Sequence, residues 1–269
     1  MAGQVVKASA VAVDVARRPA GGVVVLAYHR VGRRTASPVD LPLSLFAAQV
    51  AELAADGRIL GLDAALDLLA GPEAPAAPAS WPVVLTFDDG TTDWVDQVLP
   101  VLVEHGAPAT FYVATDHVEG ARRFLPDGRP ISWSGLGELV SSGLATIGSH
   151  THGHLLLDRI DAAAAADIDR SLELLGERLG VRIAHFAYPK AVLASPPVEA
   201  EVRLRFRSAA LGNGVANRIG HTDPHRLART PIQLTDGLRW FRRKAQGGLQ
   251  LEAQLRQVAN RRRYARVRT

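Results

Sequence analysis

Val83-Val84-Leu85-Thr86-Phe87-Asp88-Asp89-Gly90 is the stretch whose reading decides the fold. An apolar, β-branched run leads into two adjacent aspartates and a glycine. A short apolar run bounded by a turn signal reads as a buried strand. The aspartates then stand at its C-terminal end, where α/β folds place their chemistry. Two carboxylates so close cannot both ionise cheaply without a cation nearby. A second stretch offers the partners: Ile147 to His154, IGSHTHGH, is another short apolar run, and it ends among three histidines. One Asp with two or three His makes a first-row metal site.

Working outward, strand and helix patterns alternate. Val23 to Ala27 is a strand candidate ending in Tyr28-His29-Arg30. Ser44 reads as the N-cap of a helix carrying Phe46, Val50 and Leu53 on one face and stopped by Gly57. Leu62 to Leu69 is a second short helix. Thr91 to His105, Ser134 to Ser142, Asp161 to Leu179 and Pro197 to Arg205 read as helices. Between them, Ala109 to Ala114, Leu144 to Gly148, Arg182 to Tyr188 and Phe206 to Leu211 read as strands. The alternation predicts a parallel sheet or barrel. A chain of 269 residues, 47% of them hydrophobic, suits one globular domain; (β/α) barrels commonly run to about 250 residues.

Composition excludes several classes. There is no cysteine, so any metal is held by N and O donors and no disulfide forms. No run approaches the ~18 apolar residues of a membrane span. Lys7 and Asp14 interrupt the apolar part of the N-terminus, which makes it a poor secretory signal, and the expectation is a cytoplasmic protein. Charge is uneven. Arg239 to Arg268 carries ten Lys or Arg against Glu252 alone, so the remainder of this +4 chain is about −5. The reading is an N-terminal extension over 1–22, a catalytic domain over 23–237 and a basic tail over 238–269. Leu249, Leu251, Leu255 and Val258 could form an apolar stripe on a helix, with Arg256 and Arg261 to Arg263 near its end, which suggests docking to an anionic membrane surface at the inner face; the alternative is a solvated or disordered tail, or a helix packed on the barrel. No nucleic acid is expected as a partner.

His150 and His154 are four residues apart, so on a helical turn they share a face and can grip one ion, while His152 points elsewhere. The plainer alternative is a polar loop whose histidines only form hydrogen bonds.

TFDDG, followed some sixty residues later by SHTHGH, resembles the polysaccharide deacetylase family, carbohydrate esterase family 4. The likeness covers about Val23 to Ile232. The YHRV start, the FAYP stretch at Phe186 to Pro189 and DPHRLAR before Thr230 look like the branch of poly-N-acetylglucosamine deacetylases. The resemblance implies a distorted (β/α) barrel, a divalent metal and an N-acetylated carbohydrate substrate. It implies Asp88 as general base, Asp89, His150 and His154 as metal ligands, and the backbone N–H of Lys190 as oxyanion donor. Where many members carry a bracing arginine in the third motif this chain has Ala187, and Arg229 is the candidate replacement. The family's C-terminal Leu-x-His is missing, which makes His29 the candidate general acid. Trp133 and Tyr188 are the candidate substrate-binding side chains. With N and O donors the ion is zinc, or cobalt, nickel or iron(II). The expected function is metal-dependent removal of acetyl groups from an N-acetylated sugar. The alternatives are another amide hydrolase on the same barrel and a catalytically weak binding relative.

Overall fold

The computed structural model describes residues 22–72, 80–158, 162–212, 214 and 216–249. β1 (Gly22–Tyr28) and β2 (Val83–Asp89) pair in parallel, with Leu26 opposite Leu85. β3 (Ala109–Val113), β4 (Ala145–Ser149), β5 (His185–Ala187) and β6 (Ser208–Ala210) extend the sheet on one side, and β7 (Arg229–Pro231) adds to β1 on the other. Among the described residues the order is β7-β1-β2-β3-β4-β5-β6, all parallel, with a short antiparallel strand, Asn217–Arg218, against the start of β1. A parallel bridge from Ala210 to Leu227 brings β6 to the approach of β7, so the curled sheet nearly closes on itself. This is the distorted (β/α) barrel of the sequence reading, in one domain.

Period-two alternation along the strands sorts side chains into two cores. Val83, Leu85 and Phe87 face outward among the helices; Val84 faces the barrel interior with Val23, Val25, Tyr112, Ala187, Ala210 and Leu227. The outer layer is aromatic at its centre: Phe87 stacks on Tyr28 at 5.3 Å and on Phe111 at 5.0 Å. The covering helices are α1 (Leu43–Ala55), α2 (Leu62–Leu69), α3 (Leu99–His105), α4 (Thr115–Glu119), α5 (Trp133–Ser141), α6 (Ala162–Leu179), α7 (Pro196–Arg205) and α8 (Gly237–Lys244). No helix among the described residues is long and apolar enough to cross a membrane.

Several local expectations change. α1 begins at Leu43 with Pro42 in the cap position, so Ser44 lies inside the first turn and does not cap it. The Thr91–His105 helix is two pieces, a π-helical turn at Trp94–Val98 running into α3 at Leu99. Pro100 has no N–H to donate, and the wider turn ends just before it. β5 and β6 are three residues each, much shorter than their apolar runs, because the sheet pairs only where neighbours reach.

The packed body also continues past Gly237. Trp240 and Phe241 of α8 are buried, and the buried Lys244 ammonium donates to Asp236 at 2.8 Å and to the Pro231 carbonyl at 2.9 Å. Leu249 is buried too, whereas Leu251, Leu255, Val258 and the arginine run lie outside the described residues, as does the extension before Gly22.

Candidate active site

The site stands at the C-terminal ends of β1, β2 and β4. Inward alternation takes Val84, Thr86 and Asp88 to the barrel interior, and Asp89 should therefore point out to the helices. It does not, because its backbone is left-handed, with φ 84°, and this turns the carboxylate back toward the mouth. A non-glycine residue there is strained by about 1–3 kcal/mol. Adjacent aspartates thus open on one cavity of about 490 Å³, lined also by Ala27, His29, His150, His154, Lys190 and Arg229.

Asp88 is buried and gripped at both oxygens by Arg229, at 2.6 and 2.8 Å. Burial opposes its ionisation, but the Arg229 guanidinium, with His150 and His29 nearby, outweighs burial and holds the carboxyl well below the usual range. Arg229 starts β7 level with Val25, deep in the barrel, and reaches up to Asp88. Its Nε donates to the Leu211 carbonyl at 2.9 Å, and its guanidinium lies over the Tyr112 ring at 5.3 Å. Gly148 makes room for that ring, since a Cβ there would lie 2.6 Å from Tyr112.

Asp89, His150 and His154 form the second group. Oδ1 of Asp89 is 3.8 Å from Nε2 of His150 and 3.5 Å from Nε2 of His154. Nδ1 of His150 donates to the Ala187 carbonyl at 2.7 Å; a carbonyl only accepts, so Nε2 is left as the bare acceptor. Nε2 of His154 is buried and has no hydrogen-bond partner among the described residues. Burial pushes both imidazoles down, His154 to about 3 with help from neighbouring His150, so both are neutral at pH 7. A carboxylate and two neutral imidazoles, one aimed with no partner, with ligand atoms all within 4.8 Å, fit one divalent ion.

The histidines do not share a helical turn. Residues 150–156 are irregular, with Thr151 and His154 left-handed at φ 65° and 54°. Asp167 of α6 shapes the loop by accepting from the backbone N–H groups of His152 and Gly153, at 2.9 and 2.8 Å. His152 turns away to Thr115, Nδ1 to Oγ1 at 2.9 Å.

His29 lines the cavity with its Nδ1 buried and unpartnered among the described residues. Lys190 also lines the cavity, in a left-handed turn, φ 55°. Two candidates fall elsewhere. Tyr188 is fully buried in the outer core, edge-on to Phe186 at 5.2 Å, because it alternates to the face opposite Ala187. Trp133 lies on the helical surface, its Nε1 donating to Glu119 at 2.8 Å and Arg178 over its ring at 5.7 Å. Tyr112 is the positioning side chain the sequence reading missed. Its signal was available, since it pairs with Asp88 across β2 and β3 and so shares the inward face.

A parallel barrel whose mouth gathers a braced carboxylate beside an Asp–His–His cluster has the make-up of a barrel hydrolase. Residues 77–208 match the family described as polysaccharide deacetylase. Over that stretch the chain carries a polysaccharide deacetylase domain. IcaB from Ammonifex degensii is similar at 28% identity, with 85% of this chain and 98% of that one covered and a TM-score of 0.70. The Streptococcus pyogenes deacetylase PplD shares the fold at 19% identity, 84% and 99% coverage and TM-score 0.71. A de-N-acetylase from Aggregatibacter actinomycetemcomitans does so at 18% identity, 82% and 99% coverage and TM-score 0.66. No curated protein matches the chain.

Proposed function

We propose that this protein is a metal-dependent hydrolase that removes the acetyl group from an N-acetylated sugar or polysaccharide. One observation carries the reading: Asp88 with Arg229, the Asp89–His150–His154 cluster, His29 and Lys190 all open on the same cavity. Asp89, His150 and His154 would hold one divalent ion, and zinc suits their N and O donors. When bound, that ion supplies a Lewis acid and lowers the pKa of water.

The chain's own groups supply the proton transfers. Asp88 stays ionised because Arg229 holds it so, and it accepts the proton of the water that attacks the acetamide carbonyl carbon. Arg229 fixes the direction of the accepting lone pairs. The Lys190 N–H donates to the carbonyl oxygen as negative charge develops there. His29 gives a proton to the amine nitrogen as the C–N bond breaks, leaving acetate and a free amino sugar.

The test is acetate release from N-acetylglucosamine oligomers by zinc-loaded protein, by chelated protein and by His154→Ala. Release that chelation abolishes and zinc restores, with less than one equivalent of ion held by His154→Ala, is the expected result. A loaded protein that releases no acetate yet binds the oligomers would overturn the reading in favour of a binding relative. Full metal occupancy in His154→Ala would overturn the ligand assignment.

A further inference from the structure

Leu125 is 93% exposed, and it stands on the rim of the catalytic cavity. Single exposed leucines are common and need no explanation in general. Leu204, 80% exposed in α7, is one of these and lines no part of the cavity. Leu125 differs because its exposure is built in. It sits in a tight hairpin whose ends, Phe124 and Gly128, exchange two backbone hydrogen bonds of 2.8 Å each. Leu125-Pro126-Asp127-Gly128 is turn chemistry, with Pro presetting φ and Asp and Gly tolerating the turn.

The hairpin is held from two sides. Arg30, the residue after His29, is buried, and its terminal nitrogens donate to the carbonyls of Pro126 at 2.6 Å and Leu125 at 3.3 Å. Gly128 gives the guanidinium its place, because a Cβ there would lie 2.5 Å from the Arg30 Cζ. At the hairpin's other side Phe124 is buried and stacks on His117 at 3.8 Å. The His117 Nδ1 in turn donates to the Arg122 carbonyl at 3.0 Å. A loose loop would fold its leucine inward. This one cannot, because both carbonyls beside the tip are tied to the strand end that carries His29.

A pyranose ring has a C–H face that is apolar enough to rest on an aliphatic side chain, while its hydroxyls stay in water. We infer that Leu125 is a specificity-determining residue, an apolar platform for the carbohydrate face of the substrate as its acetamido group enters the cavity. Arg30 is the positioning residue that keeps the platform raised. This rests on the deacetylase reading and adds to it a named contact. Preorganisation is what gives the contact its value, since no loop need be ordered on binding.

The experiment is steady-state acetate release from an N-acetylglucosamine tetramer by zinc-loaded parent, Leu125→Ala and Leu125→Met. Losing most of an isobutyl side chain that is covered in the complex should raise KM about tenfold in Leu125→Ala, with kcat within roughly twofold. Leu125→Met keeps the apolar area and should restore KM to within roughly twofold of the parent. Melting temperatures should match across all three, since the side chain packs against nothing in the free protein. An unchanged KM in Leu125→Ala overturns the platform and leaves deacetylation standing. A lowered melting temperature in that variant also overturns it, because the leucine would then be structural. No acetate from the parent overturns the deacetylase reading and the platform with it.

Discussion

Replacing Arg229 by Met removes a cation and keeps the aliphatic volume. The structure says what is lost. Asp88 is 5% exposed and Arg229 2%, so the pair is shielded from solvent. The guanidinium makes two bonds to Asp88, one to Thr86 Oγ1 at 3.3 Å and one to the Leu211 carbonyl at 2.9 Å. Breaking a buried ion pair from one side costs about 3–5 kcal/mol, because the other charge is left desolvated. The Leu211 carbonyl adds about 1 kcal/mol if it finds no other donor. Together these approach the whole stability of a marginal domain, about 5–15 kcal/mol. Asp88→Asn in the same background removes the stranded charge, so the double variant should recover at least ~2 kcal/mol relative to the sum of the single ones. Arg229→Lys keeps the charge but not the two-pronged grip, and should fall between parent and Met. Urea unfolding of the chelated proteins at pH 7 measures all four. Additive costs for Arg229→Met and Asp88→Asn, or a cost for Arg229→Met under ~1 kcal/mol, would refute the idea that the pair is one buried electrostatic unit.

Two further outcomes follow from named side chains. Asp88→Asn in the zinc-loaded protein should lower kcat by at least ~10²-fold while metal content stays near that of the parent, because Asn keeps the shape but accepts no proton; loss of the metal instead would make Asp88 a ligand. Asp93 is buried and accepts from the Val31 N–H at 2.7 Å, and burial pushes its carboxyl up to about 6. The folded protein therefore keeps a proton that the unfolded chain gives up above about pH 4, so stability falls as pH rises from there to about 6 and stays lower beyond, by ~3 kcal/mol. Asp93→Asn should lack that fall, gaining ~2–3 kcal/mol on the parent between pH 4 and pH 7 in chemical unfolding, and a pH-independent difference between the two would count against it.

Much of the fold was written locally. Val83 to Asp89 is a strand because its residues are apolar and β-branched, and both cores follow from its alternation. The two aspartates and the clustered histidines were legible as a site for the same reason, since strand ends are where a period-two pattern gives way to polar residues. Leu62–Leu69 as a short helix was equally plain, its apolar positions spaced for one face. Those features depend on neighbours a few residues apart, and a sequence displays such neighbours directly. Tertiary structure decided the rest. Arg229 meets Asp88 across 141 positions, a pairing that rests on curling the sheet until β7 lies beside β1. Asp89 faces the cavity only because the fold holds it at φ 84°, against the local preference of an aspartate at a strand end. Trp133 and Tyr188 look like sugar-binding aromatics in the sequence, and the packing of α5 and β5 turns both away from the mouth. Leu125 looks like an unremarkable turn residue until Arg30, 95 positions earlier, is seen holding it upright. Backbone pattern is a short-range property, while the direction of a side chain at a site is set by contacts between strand ends that only the closed barrel brings together.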